Sequence, residues 1–292
     1  MNRVDAPMSE PVAEVRRPAL AVTVFGITDK GRVRPSNEDQ FVVAELTKTM
    51  HILHTSLPEP KTQFGSEQGH LFLVADGMGG ARAGEQASAL AVVAIEQFTL
   101  NTFRWFFHSG GPEAQAVLAQ FQTALRQADA RILEEAAEHP ELSGMGTTVT
   151  MAYHLDAQLC VVHVGDSRAY MYEDGELHQV TEDHTVTADM VRRGDLQPEE
   201  VARHKLRHLI TNVIGGNEAL RYVEAHALQV QAGDRLLLCS DGLTEMLTNE
   251  AIAAALREEP DPEAACKKLV AQANEAGGRD NVTVLIVRFD PA

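Results

Sequence analysis

Residues Leu71–Gly80 read LFLVADGMGG, an apolar run that passes straight into an acid and then a glycine-rich turn. The run is short and glycine follows it, so it predicts a buried β-strand rather than a helix. Asp76 then stands where the strand leaves the core. Gly77 lets its backbone carbonyl approach a ligand with no side chain in the way. Any fold for this chain must bury that strand and still bring its acidic end to a place where the charge is useful.

Three later acids share the same context. Asp166 follows LCVVHVG, Asp241 follows RLLLCS, and Asp280 precedes the strand-like NVTVLIV. A single acid at a strand end is usually a turn former, because Asp bonds to nearby backbone. Four of them meeting at one end of a sheet would repel one another unless cations bind. Oxygen-only ligands suit hard ions such as Mg²⁺ and Mn²⁺, whereas zinc normally brings His or Cys into contact with the metal. Two such ions about 3.5–4 Å apart can share a water, lower its pKa and clamp a phosphoryl group. A second polar stretch, GRVRPSNED from Gly31 to Asp39, adds Arg34, Glu38 and Asp39. A guanidinium can grip two phosphate oxygens at once, which lysine cannot.

The rest of the chain predicts antiparallel sheets covered by helices. Strands are expected at Ala21–Thr28, Gln40–Leu46, Thr147–His154, Leu159–Gly165, Arg168–Tyr172, Leu177–Thr181, Ala225–Val230, Arg235–Ser240 and Asn281–Phe289. Asp174-Gly175 marks a tight hairpin turn. Helical spacing appears over Ala83–Leu100, Glu113–Glu138 and Asn249–Arg257, and a fourth helix starts at Asp261-Pro262, with an acid cap and proline in the first turn. Thr47–Gly69 reads as a long insertion, Asn101–Gly111 with Trp105 as a packing lobe, and 186–224 as an irregular, partly basic segment. Residues 1–21 read as a flexible lead-in to one domain over 22–290.

The 292 residues carry a net charge of −17. That balance argues against nucleic acid as the main partner, since phosphate binding wants a basic face. No apolar run is long enough to span a membrane. Cys160, Cys239 and Cys266 form no CxxC pair, so neither zinc nor a disulfide framework is expected, and a reducing cytoplasm is the simplest compartment.

Seven motifs occur in order: Gly31-x-x-Arg34-x-x-Asn37-Glu38-Asp39, Val74-Ala75-Asp76-Gly77-Met78-Gly79-Gly80, Met145-Gly146-Thr147-Thr148, Val164-Gly165-Asp166-Ser167-Arg168-x-Tyr170, Thr181-x-Asp183-His184, Cys239-Ser240-Asp241-Gly242 and Gly278-Arg279-Asp280-Asn281-Val282-Thr283. Together they resemble the PP2C (PPM) metal-dependent protein phosphatases, of the bacterial serine/threonine type. The resemblance implies an α+β fold, a central sandwich of two antiparallel sheets flanked by pairs of helices. It implies two or three Mn²⁺ or Mg²⁺ ions. Asp76 would bridge two of them, the Gly77 carbonyl would bind one, Asp241 and Asp280 would complete the other, and Asp166 with Asp241 would hold a third. Arg34 would hold the substrate phosphate, Glu38 would act through metal-bound water and Asp39 would support the ligands. The implied partners are proteins phosphorylated on Ser or Thr, among them a cognate kinase and its substrates, met by a monomer whose variable flap is 186–224.

Animal members often carry His where this chain has Met78, and Met donates no proton. His184 is a candidate donor, with a structural role the commoner one for such a histidine. A cysteine-nucleophile phosphatase is disfavoured, because the sixth residue after each Cys is Asp166, Glu245 or Gln272 rather than Arg. No P-loop motif occurs. A non-catalytic phosphoprotein-binding module on the same fold, and a small-molecule phosphatase, are the alternatives, since fold alone does not set function.

Overall fold

The computed structural model describes residues 20–50, 63–102 and 114–292. Along the chain run β1 (Leu20–Asp29), β2 (Asp39–Met50), β3 (Gln63–Met78), α1 (Ala81–Thr102), α2 (Ala114–Glu138), β4 (Gly146–Thr147), β5 (Val149–Leu155), β6 (Gln158–Val164), β7 (Arg168–Glu173) and β8 (Glu176–Gln179). Then follow α3 (Val186–Arg193), β9 (Ile214–Gly215), β10 (Glu224–Gln229), β11 (Arg235–Cys239), α4 (Asp241–Thr244), α5 (Asn249–Glu258), α6 (Pro262–Glu275) and β12 (Val282–Pro291).

Among the described residues these strands form two sheets, and every pairing is antiparallel. One has the order β1-β12-β11-β7-β8, the other β10-β6-β5-β3-β4-β9 with β2 also on β3. Alternate residues of the central strands go to opposite sides. Phe72 and Val74 of β3 meet Leu285, Val287 and Phe289 of β12 between the sheets. Leu71, Leu73 and Ala75 face α1 and α2 instead, packing with Ile95, Phe121 and Leu125. On the far side Val284 and Ile286 face Ile252, Leu256 and Leu269 of α5 and α6. A strand covered on both faces has no polar side, which is why LFLVA and VTVLIV carry no alternation. Each large apolar side chain so buried contributes about 1.5–3 kcal/mol.

The antiparallel α+β sandwich matches the sequence expectation, and two local readings change. Thr47–Gly69 is not simply a loop: the β2–β3 ladder continues through Thr47↔Gln68 and, past an irregularity, to Thr49↔Phe64 and Met50↔Gln63. Backbone pairing sustains it, so polar composition gave no hint. The 186–224 segment contains α3, capped by the Thr185 hydroxyl on the Ala188 amide and ended by Gly194 in the left-handed conformation. Eight residues are too few for helical periodicity to stand out. The strands β10 and β11 follow each other but lie in different sheets, on β6 and on β7 and β12. The short α4 begins at Asp241 itself. Of the 1–21 lead-in, Leu20 and Ala21 belong to β1 instead, and of the 101–111 lobe, Asn101 and Thr102 end α1; the rest of both lies outside the described residues. All three cysteines are free and buried, and no helix among the described residues is long and apolar enough to cross a membrane.

Candidate metal centre

The strand ends of the two sheets meet at one edge of the sandwich. Asp39 opens β2 directly opposite Asp76 near the end of β3. The Thr147-Thr148 pair clamps the Asp76 backbone: Thr148 N–H and Thr147 Oγ1 donate to its carbonyl (2.9 and 2.8 Å), and Asp76 N–H donates to Thr148 Oγ1 (3.0 Å). Thr148 Oγ1 also bonds Ser167 Oγ at 2.7 Å, which ties the Asp76 strand to the Asp166 turn. Gly165 makes that turn possible, since its φ is +115° and a Cβ there would press on Thr148. At Gly77 a Cβ would run into the Gly84 carbonyl oxygen, so only glycine fits.

From the other sheet, Asp241 follows β11 and Asp280 precedes β12. Asn281 fastens the Arg34 loop to this turn. Its side-chain amide donates to the carbonyls of Lys30 (2.9 Å) and Ser36 (2.8 Å), and its Oδ1 accepts from the Glu38 amide (2.8 Å). Arg34 Nη2 reaches Asp280 Oδ2 at 2.6 Å, with the Arg34 side chain half exposed. Behind this layer Asp39 is buried, its Oδ2 accepting from Ser240 Oγ (2.7 Å) and Thr283 Oγ1 (2.6 Å).

A cavity of about 520 Å³ opens here, lined by Arg34, Glu38, Asp76, Asp166, Asp241 and Asp280, with the Gly77 backbone among them. The structure therefore gathers seven of the eight residues singled out from sequence on one cavity and sets the eighth, Asp39, behind it. His184 is not on the cavity. It is buried in the core.

The acids are electrostatically strained. Loss of surrounding water, then the charges of Asp39, Asp241 and Asp166, push Asp76 well above the usual carboxylate range. Burial, then Asp166 and Glu245, do the same to Asp241. Burial and neighbouring Asp183 raise Asp166 to about 7, and burial raises Asp39 to about 6 against the pull of its hydroxyl donors. Asp241 Oδ1 and Asp39 Oδ1 are buried and lack hydrogen-bond partners. Buried carboxylate oxygens without donors are costly, and cations remove both that cost and the repulsion. The donor set is oxygen alone, so it fits Mn²⁺ or Mg²⁺.

A second polar cluster gives a contrast. Ligand atoms of His163, His184 and Glu224 lie within 4.8 Å of one another. Yet His184 Nδ1 accepts from Gly165 N–H (3.1 Å) and faces the Asn212 amide nitrogen (3.0 Å), so its proton sits on Nε2 and points to Glu224 (3.2 Å). A metal-bound histidine normally donates from its second nitrogen, and here that nitrogen faces donors. This cluster is a hydrogen-bonded brace for the Gly165 turn.

Sequence reasoning left Asn281, Thr148, Ser240 and Thr283 without roles, although all four stood inside the quoted motifs. Small polar residues touching acids at motif positions are the signal that could have found them. Their partners lie tens to hundreds of residues away.

Comparison with known proteins agrees with this arrangement. Residues 60–274 match the family described as Protein phosphatase 2C. The chain belongs to the protein phosphatase 2C family. The serine/threonine protein phosphatase PstP of Mycobacterium tuberculosis is 33% identical over 270 residues, covering 92% of this chain and 45% of PstP. The chain thus spans less than half of that relative's length. The serine/threonine phosphatase stp of Listeria monocytogenes is 30% identical over 263 residues, covering 90% of this chain and 94% of stp. The crystal structure of the PstP catalytic domain in complex with two manganese ions superposes with a TM-score of 0.72 at 32% identity, covering 93% of this chain and 99% of that one.

Proposed function

We propose that this protein phosphatase 2C family member hydrolyses phosphoserine and phosphothreonine in proteins at a divalent metal centre. The observation that carries the reading is the convergence of Asp76, Asp166, Asp241 and Asp280, remote in sequence, on one cavity beside Arg34. The names of its relatives and the two manganese ions in PstP support it.

Asp76, the Gly77 carbonyl, Asp241 and Asp280 would hold two Mn²⁺ or Mg²⁺ ions, and Asp166 with Asp241 a third. When bound, such ions lower the pKa of water and neutralise charge on a phosphoryl group. The chain's own groups do the rest. Arg34 spends Nη2 on Asp280 and offers its remaining N–H groups to a phosphate. Asn281 fixes the loop that carries Arg34 and Glu38, so the guanidinium meets substrate without first paying for loop ordering. Glu38, its carboxyl pushed up by burial against the pull of Arg34, borders the cavity as a proton-handling group. Ser240 and Thr283 hold Asp39 by one oxygen and leave the other free. The 186–224 segment is the flap that meets the phosphoprotein, including the cognate kinase and its substrates. Unpaired cysteines fit a reducing cytoplasm.

The test is Mn²⁺-dependent phosphate release from a phosphothreonine peptide. Wild-type protein is expected to turn over only with the ion, and Asp241→Asn to lose activity at least about 100-fold, because a charged ligand to the cations is lost. An unchanged rate in Asp241→Asn overturns the assignment.

A further inference from the structure

Hydrolysis of a phosphoserine or phosphothreonine releases an alkoxide, which is strongly basic and leaves readily only as it takes up a proton. Met78 borders the cavity and has none to give. His184, buried in its brace, cannot reach the substrate. Among the described residues one histidine does line this cavity, His208. No motif drew attention to it.

His208 is well held. Its segment is pinned by the Thr185↔Ile210 bridge, by Val186 N–H on the Leu209 carbonyl (2.9 Å) and by Thr211 N–H on the His184 carbonyl (2.7 Å). Its Nδ1 forms an ion pair with Glu245, the residue that follows α4 and closes the short turn begun by Asp241. The imidazole side chain is half exposed, and among the described residues no other hydrogen bond engages it. One nitrogen is therefore fixed by a carboxylate and Nε2 is left over. That is the geometry of an acid–base histidine oriented by a third group. Charged groups around it include Arg168, Asp183 and Arg207 in an adjoining cavity of about 440 Å³, and Asp166, Asp241, Glu245 and Arg279 shared by both cavities.

We propose that His208, oriented by Glu245, is the general acid that protonates the leaving serine or threonine oxygen. A water oxygen forms the new bond to phosphorus and its proton passes to solvent. The bond from phosphorus to the side-chain oxygen breaks, its electron pair stays on that oxygen, and the Nε2 proton of the imidazolium completes the hydroxyl. The imidazole regains a proton from water. Alcohol and inorganic phosphate are the products, and no oxidant or further reactant is consumed. This inference rests on the phosphatase reading above.

The experiment compares two leaving groups. Wild type and His208→Gln, both with Mn²⁺, are assayed on a phosphothreonine peptide and on p-nitrophenyl phosphate, whose phenolate leaves without a proton. The expected result is a loss of about 100-fold in kcat on the peptide and a change within about threefold on the aryl ester. Mn²⁺ affinity by calorimetry is expected to be unchanged. Equal losses on both substrates, no loss on the peptide, or weakened Mn²⁺ binding each overturns the assignment. A series of aryl and alkyl phosphates on wild type alone provides a check free of variants: a shallow dependence on leaving-group acidity is expected, and a steep one overturns it. If wild type cleaves neither substrate with Mn²⁺, the phosphatase reading itself has failed.

Discussion

On one side of the Gly165–Asp166 turn stand Asp39, Asp76, Asp166 and Asp241. On the other stand His163, His184 and Glu224. Both groups are polar and largely shut away from water, yet they answer burial in opposite ways. The carboxylates crowd like charges together and leave oxygens without donors. The second group meets donor with acceptor: His184 with Glu224, Gly165 and Asn212, and His226 Nε2 with Glu224 at 2.5 Å. A group built to bind something keeps its repulsion until the ligand arrives, while a group built to brace the fold satisfies itself. Clustering of metal-binding residue types alone does not tell these apart, and hydrogen-bond direction does.

The largest expected effect falls on the carboxylate side. Asp76→Asn should lower Mn²⁺-dependent turnover at least about 100-fold, since even residues that only support metal ligands cost 10–100-fold. The same change should leave the melting temperature of the metal-free protein equal or higher, because a repelling charge is gone. A fall of several degrees without metal would mean that Asp76 is bracing the fold instead. Next comes the brace. His184→Ala should destabilise the protein by about 2–4 kcal/mol, as Glu224 loses one of its donors and the Gly165 amide loses its acceptor in the interior. Urea denaturation would measure this, and a cost below about 0.5 kcal/mol would put His184 in the same class as a surface residue.

Acid titration sharpens the contrast, because the two groups pull stability in opposite directions over one window. Burial and His184 push His163 down to about 4, below an unfolded value of about 6.5. Its contribution is full above about 6.5 and is lost as pH falls toward 4. Burial opposes ionisation of Glu224, but His184 and His226 outweigh it and draw the carboxyl to about 2, so that term too is lost only in acid. Asp39 and Asp166 are raised to about 6 and about 7, above an unfolded value of about 3.9. Their contribution to the metal-free protein is full below about 3.9 and is lost as pH rises through 6 to 7. Melting curves of metal-free protein from pH 4 to 7.5 should therefore flatten in acid for His163→Gln and flatten toward neutrality for Asp166→Asn. Identical profiles for both variants would erase the distinction. The smallest effect belongs to an exposed pair far from either group: Lys267→Ala, which breaks the 2.6 Å contact with Glu263 on α6, should cost about 0.5 kcal/mol or less.

Strand ends were legible because apolar runs ending in Asp-Gly or Asp-Ser are local patterns, and antiparallel sheets with acids at their strand ends followed from them, whereas the two-sheet sandwich with its metal site at one end followed from the family resemblance. The β2–β3 extension was not legible, since the Thr49↔Phe64 pairing is made by backbone atoms that carry no side-chain signature. Nor was α3, eight residues recognisable only from the Thr185 cap and Gly194 stop. His208 had no motif to announce it, and its contact with Glu245 joins positions 37 residues apart that only the packing of the Leu209 segment against Thr185 and Val186 brings together.

The chain's order of residues by itself decided which segments are buried on both faces and which acids terminate them, because hydropathy and turn chemistry act between near neighbours. Tertiary structure alone decided that Asp39 would face Asp76, that Asn281 would tether the Arg34 loop, and that one histidine would brace the core while another borders the cavity. Those outcomes depend on hydrogen-bond directions and distances across two sheets, and such quantities exist only once the sheets have packed.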